Sequence, residues 1–132
     1  MRDLNIIMPC INEAETIGCC IKKAKESIAR LQVNGEILEA DNCSTDGYIE
    51  IAAELSARAL HVRERGYGDA LRGGIEAALG TWIIMGDANG SYDFGYFSPF
   101  IKKLKDVFDL VMDCRLPQGS RKILKWGYAL LK

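Results

Sequence analysis

A chain of 132 residues, 48% hydrophobic and 27% charged, has room for one domain and too little for two of ordinary size. Its 17 Lys and Arg against 18 Asp and Glu leave a formal net charge of −1, which provides no global attraction to nucleic acid. The near-average composition excludes wholesale disorder, and no run approaches the ~20 apolar residues of a membrane-spanning helix.

A single domain over residues 1–132 is therefore expected, folding without disulfides. The cysteines are Cys10, Cys19, Cys20, Cys43 and Cys114. They include no CxxC pair and two are adjacent, which argues against a zinc site or a disulfide framework and for reduced thiols in a cytoplasmic protein. The opening MRDLNIIMPC lacks the apolar stretch of a signal peptide.

In chain order, Leu4 to Met8 predicts a first strand, closed by Pro9. Ile17, Cys20, Ile21, Ala24, Ile28 and Leu31, spaced by three and four, predict a helix, with Asn12 and Glu15 as a capping box at its start. Gly35 ends that helix and Glu36 to Ala40 predicts a second strand. A polar loop from Asp41 to Gly47 follows, with Ser44 or Thr45 as cap of a helix to about Ala57.

Ala59 to Val62 predicts a short third strand, and the stripe Tyr67, Ala70, Leu71, Gly74, Ile75, Ala78, Leu79 a further helix. Thr81 to Met85 is the fourth strand. After a turn-rich stretch to Tyr96, Ser98-Pro99 caps a helix to about Asp106, and Asp109 to Met112 is a fifth strand. Repeated β-α units of this length imply an α/β fold: a parallel sheet with helices on both faces. The closing Trp126 to Lys132 reads as part of a helix.

Ligands of such sheets bind beyond the carboxyl ends of the strands, and there the polar residues gather. The segments are Pro9-Cys10-Ile11-Asn12-Glu13, Asp41 to Gly47, Glu64-Arg65-Gly66-Tyr67-Gly68, Asp87-Ala88-Asn89-Gly90-Ser91 and Asp113-Cys114-Arg115. One such loop is an ordinary turn; five on one edge point to a site. Asp87-x-Asn89-x-Ser91-x-Asp93 imitates a calcium loop but has Tyr92 where glycine is needed and Ser98 where glutamate is needed. Gly66-x-Gly68 lacks the third glycine of a dinucleotide fingerprint, and no GK[ST] is present. His61, the single histidine, has no partner nearby in sequence and reads as structural.

The strings PCINEAETIG, ADNCSTDG, ERGYGDALRGGIEAALG, WIIMGDANGSYDF and DLVMDCR resemble, in order and spacing, the N-terminal part of family 2 glycosyltransferases. The resemblance is closest to the polyprenyl-phosphate (dolichyl-phosphate) mannose and glucose synthases. It implies a three-layer, Rossmann-like GT-A fold with a mostly parallel sheet.

The resemblance also implies roles. Pro9, Asn12 and Glu13 fall in the loop that contacts the nucleoside, and Asp41 matches the residue that hydrogen-bonds the nucleobase. Gly66, Gly68 and Arg72 match the segment beside the diphosphate and sugar. Asp87 and Asn89 occupy the positions of a DxD motif, with Ser91 completing a metal-binding set for Mg²⁺ or Mn²⁺. Arg115 matches a phosphate-binding arginine and is grouped with Asp87 as catalytic; Arg121 corresponds to a second. The implied reaction moves a hexose from a UDP- or GDP-sugar donor to a polyprenyl phosphate by inverting displacement, in the cytoplasm or at the inner face of a membrane. The alternative is a nucleotide-sugar-binding module without catalysis. A nucleotidyltransferase is disfavoured, because no glycine-rich, lysine-bearing loop follows the first strand.

Several positions depart from the pattern. Asn89 supplies a neutral oxygen where a carboxylate is usual, which weakens attraction for a divalent cation. Glu39 replaces an aliphatic residue and is expected near the strand end with solvent access, since burying an unpaired carboxylate is costly. Asp113-Cys114 stands where a Gly-Ser pair is usual. The chain is also shorter than the family's catalytic domains, so its C-terminal acceptor part is expected to be missing. From Arg115 on every charged residue is basic, compatible with an interfacial segment or an ordinary helix.

Overall fold

The computed structural model describes residues 3–106, 108–112 and 128–131. The first strand, β1 (Leu4–Cys10), is buried along its whole length. It sends Leu4, Ile6, Met8 and Cys10 into one core and Ile7 into the other, the two-sided burial of a central parallel strand. It pairs in parallel with β2 (Gly35–Asp41) on one side and β4 (Trp82–Met85) on the other. Beyond β2 lies β3 (Arg58–His61), also parallel.

β1 runs two residues past the predicted end, through Pro9. Ile7 O accepts from Gly86 N (3.1 Å) toward β4, and Cys10 O accepts from Asn42 N (2.8 Å) toward β2. Pro9 shares the orientation of Ile7 and lies past the last β4 pairing, Ile7 with Met85. Its missing N–H therefore costs the ladder nothing.

Helices α1 (Ala14–Leu31), α2 (Tyr48–Glu54) and α4 (Ser98–Lys105) cover one face, and α3 (Tyr67–Ala77) packs on the other. α3 lies close to the sheet because Gly74 has no side chain: a Cβ there would sit 2.6 Å from Ile7 Cγ2. Both faces carry helices, as the β-α alternation predicts.

The C-terminal end departs from expectation. Tyr128–Leu131, read as helical from sequence, forms a strand, β6, antiparallel to β4 and to β5 (Leu110–Met112). The order is β3-β2-β1-β4-β6-β5. Pairing from Trp82–Leu131 to Met85–Tyr128 satisfies backbone groups along the β4 edge that a helix would leave bare. The sheet is thus mostly parallel with one antiparallel insertion. Among the described residues no helix is long and apolar enough to cross a membrane.

Candidate functional site

Connections leave β1 toward β2 on one side, while β4 lies on the other, so the strand order reverses at β1. A cleft of about 170 Å³ opens beyond the carboxyl ends of these strands, where α/β sheets hold ligands. Four of the residues singled out from sequence line it: Pro9 and Glu13 after β1, and Asp87 and Asn89 after β4. Five others that sequence reasoning did not assign a role complete the lining: Cys10, Ile11, Asn42, Tyr67 and Ala70. Ile11 and Tyr67 offered one signal, being large apolar residues in otherwise polar loops; both are more than half exposed.

The remaining candidates among the described residues lie outside the lining. Asp41 is 2% exposed; its Oδ1 accepts from Ser44 N (2.9 Å) and its Oδ2 meets His61 Nδ1 (2.9 Å). His61, level with Asp41 in the β2–β3 ladder, therefore has a partner that lies 20 residues away. Burial alone would raise the Asp41 carboxyl, but hydrogen bonds from His61 and Ser44 outweigh it and hold the group below the usual carboxylate range. Gly66 caps α3 at φ 144°, a conformation that favours glycine. Gly68 follows in the first turn of α3, where a Cβ would meet open space. Arg72 pairs with Asp69 (3.1 Å), and its side chain is 63% exposed. Arg115 and Arg121 lie outside the described residues.

The loop after β2 ties its neighbours together. Asn12 N donates to Ser44 Oγ (2.9 Å), and Thr45 N donates back to Asn12 Oδ1 (2.9 Å). The side chain of Asn12 is thus spent on the second loop, and α1 has no capping box. Its first free N–H, from Ala14, is met by Asp46 Oδ2 (2.8 Å), while Asp46 Oδ1 accepts from Tyr48 N (3.3 Å) at the start of α2. Ser44 and Thr45 are correspondingly not the caps of α2, whose N-cap is Gly47 in the left-handed region. On the other side Asn42 reaches the loop before α3: Nδ2 donates to Glu64 O (2.7 Å) and Oδ1 accepts from Gly66 N (2.9 Å). Ala88 O accepts from Thr16 Oγ and, more weakly, from Cys20 Sγ (3.5 Å), which joins α1 to the loop after β4.

Beneath the cleft floor lies a buried polar group. Glu39 is 0% exposed, not near solvent as expected, because α1 and α2 cover its face of β2. Neither of its oxygens has an ordinary hydrogen-bond partner; the Cys10 thiol beside it is a weak donor. Burial pushes its pKa up to about 8, favouring the neutral acid. Cys10 is raised by burial and then by the negative charges of Glu39, Glu13 and Asp41. Tyr48, its hydroxyl also buried without a partner, is raised by burial and then by Asp41.

A divalent cation finds a partial donor set. Asp87 Oδ1 is buried with no protein partner, a free carboxylate oxygen of the kind a hard cation takes. Asn89 Oδ1, however, accepts from Ser91 N (2.9 Å) and from Ser91 Oγ, so those two atoms are turned to each other. Among the described residues no cluster of three or more His, Cys, Asp or Glu is placed to hold a metal.

Comparison with known proteins agrees with this architecture. The model of glycosyl transferase family 2 matches residues 5–128. The low-salt glycan biosynthesis hexosyltransferase Agl6 of Haloferax volcanii is 36% identical over 120 residues, 89% of this chain and 27% of that protein. A dolichyl-phosphate hexose transferase of the same organism is 27% identical over 119 residues, 89% of this chain and 50% of its own length. Glucosyl-3-phosphoglycerate synthase from Mycobacterium tuberculosis superposes with a TM-score of 0.76 at 19% identity, over 98% of this chain and 57% of that one. The same enzyme has been solved with Mn²⁺, UDP and glucosyl-3-phosphoglycerate (TM-score 0.70). This chain thus spans about half the length of these relatives, or less. The match over nearly all of its residues, on a GT-A sheet with its cleft at the strand-order reversal, shows that the chain belongs to glycosyl transferase family 2.

Proposed function

We propose that this chain forms the donor-binding half of a hexosyltransferase that uses a UDP- or GDP-sugar. The observation that carries the reading is the cleft at the β1–β4 reversal. It combines an apolar wall (Pro9, Ile11, Tyr67, Ala70) suited to a base and sugar with carboxylates from two loops, Glu13 and Asp87. Gly66 and Gly68, at the start of α3, allow close backbone approach to a diphosphate. The dolichyl-phosphate hexose transferase among the relatives supports a polyprenyl phosphate as acceptor.

In the proposed reaction the bond from the anomeric carbon to the diphosphate oxygen breaks as an acceptor oxygen attacks from the opposite face. The configuration inverts and a nucleoside diphosphate leaves. A phosphate acceptor is already anionic, so no strong general base is needed. Asp87 would hold a Mg²⁺ or Mn²⁺ that offsets charge on the departing diphosphate; the Mn²⁺-bound neighbour supports that use. Arg115 and Arg121 are proposed to face the same phosphates.

A second reading, donor binding without turnover, is favoured by Asn89, which is neutral and committed to Ser91. Titration calorimetry with UDP, GDP and their sugars in Mn²⁺, followed by transfer to a polyprenyl phosphate, tests both. Binding with transfer supports the first reading and binding alone the second; failure to bind any nucleotide overturns both. Asn89→Asp should tighten metal-dependent donor binding and raise any transfer rate, and an unchanged metal titration would count against a role for this position.

A further inference from the structure

We infer that Asn42 is a positioning residue whose side-chain amide fixes the loop before α3, and with it the Tyr67–Ala70 wall of the cleft. The inference about the loop stands on geometry; its consequence for ligand binding rests on the proposed nucleotide-sugar function. Asn42 is 8% exposed, and three of its polar groups are spent on neighbours. Its backbone N donates to Cys10 O (2.8 Å) at the end of β1. Its Nδ2 donates to Glu64 O (2.7 Å) and its Oδ1 accepts from Gly66 N (2.9 Å). One amide orientation satisfies both side-chain bonds, a donor to a carbonyl and an acceptor for an N–H, so the residue grips the loop on both sides of Arg65.

The grip matters because this segment lies at the surface. Residues 63–68 are exposed, and Gly66 has φ 144°, so the backbone has wide freedom there. Gly66 is also the N-cap of α3, its carbonyl accepting from Ala70 N (3.0 Å). The next residue, Tyr67, and Ala70 one turn on both line the cleft together with Pro9 and Ile11. Asn42 therefore positions the Tyr67–Ala70 side of the cleft by holding the start of α3. A charged carboxylate in its place would keep the acceptor for Gly66 N–H and lose the donor to Glu64 O.

The test is residue-resolved amide hydrogen exchange by NMR on the full chain, paired with UDP and GDP titrations in Mn²⁺. Asn42→Ala should speed exchange at the Gly66 amide by about tenfold or more while Ile6 and Ile83 in the sheet keep their protection, and should weaken nucleotide binding by about tenfold. Asn42→Asp, which keeps the acceptor for Gly66 N–H, should restore Gly66 protection. Unchanged Gly66 exchange in Asn42→Ala overturns the inference, as does faster exchange with unchanged affinity. If Asn42→Ala loses sheet protection as well, Asn42→Ser, whose side chain ends one atom short of both partners, takes its place with the same criteria. If the unsubstituted chain binds neither nucleotide, the proposed function falls, and Gly66 exchange alone decides the positioning role.

Discussion

Glu39 stands in β2 with both carboxylate oxygens buried and no ordinary hydrogen-bond partner, and its proton is linked to folding. Its pKa is about 8 in the fold against an ordinary glutamate value near 4.5, so between these limits the folded state holds a proton that the unfolded chain releases. Stability must then fall as pH rises through that window, at roughly 1 kcal/mol per pH unit where the slope is steepest. Asp41 acts in the opposite sense: its lowered pKa contributes stability that is lost only as pH falls through the ordinary aspartate range and below. Urea melts of the chain and of Glu39→Gln, compared between pH 5 and 8, isolate Glu39. Glu39→Gln should remove most of the decline and be the more stable protein at pH 8; a parallel decline in both would show that Glu39 is not its source. The glutamate was visible in the sequence as an oddity in an apolar strand. Its burial was not, because that depends on α1 and α2 lying over it.

Helix α1 shows what periodicity carries and what it does not. Ile17, Cys20, Ile21 and Ala24, predicted from spacing, are buried, because the 3.6-residue repeat alone decides which side chains share a face. The start of the helix follows a different logic. Asn12 and Glu15 have the spacing of a capping box, yet Ala14 N–H is satisfied by Asp46 from a loop 32 residues away. Asp46→Ala should therefore destabilise the fold by about 1 kcal/mol, as loss of a helix cap does, with Tyr48 N at the start of α2 losing its partner too. Chemical denaturation checks this; no change would restore a local cap to α1. β6 is the counterpart at the far end. Its four residues carry too few turns of any repeat to distinguish helix from strand, and the open edge of β4 determines the outcome.

At the scale of the whole molecule, the loops after β1 and β4 bring two carboxylates together at the cleft. Glu13 and Asp87 line the cleft, and among the described residues no Lys or Arg joins them there; Arg72 turns to Asp69. These carboxylates repel a nucleoside diphosphate unless a cation intervenes. Removing divalent metal with EDTA should weaken UDP or GDP binding by roughly tenfold or more, a loss of at least ~1.4 kcal/mol. Restored binding on adding Mn²⁺ would verify the cause, and equal affinity with and without metal would refute it.

By itself the sequence determined the alternation of strands and helices, the apolar faces and the loops that carry polar residues. These depend on neighbours three or four positions apart and on turn chemistry, both of which are local. Tertiary structure decided which of those polar residues face a ligand. Asp41 and Asn42 are adjacent in the chain, yet one is buried against His61 and the other lines the cleft while holding Gly66. Successive residues at a strand end point to opposite sides of the sheet, and the partners that claim them arrive from β3 and α3, more than 15 residues further along. A chain of 132 residues thus encodes its layers by short-range pattern and its cleft by long-range pairing.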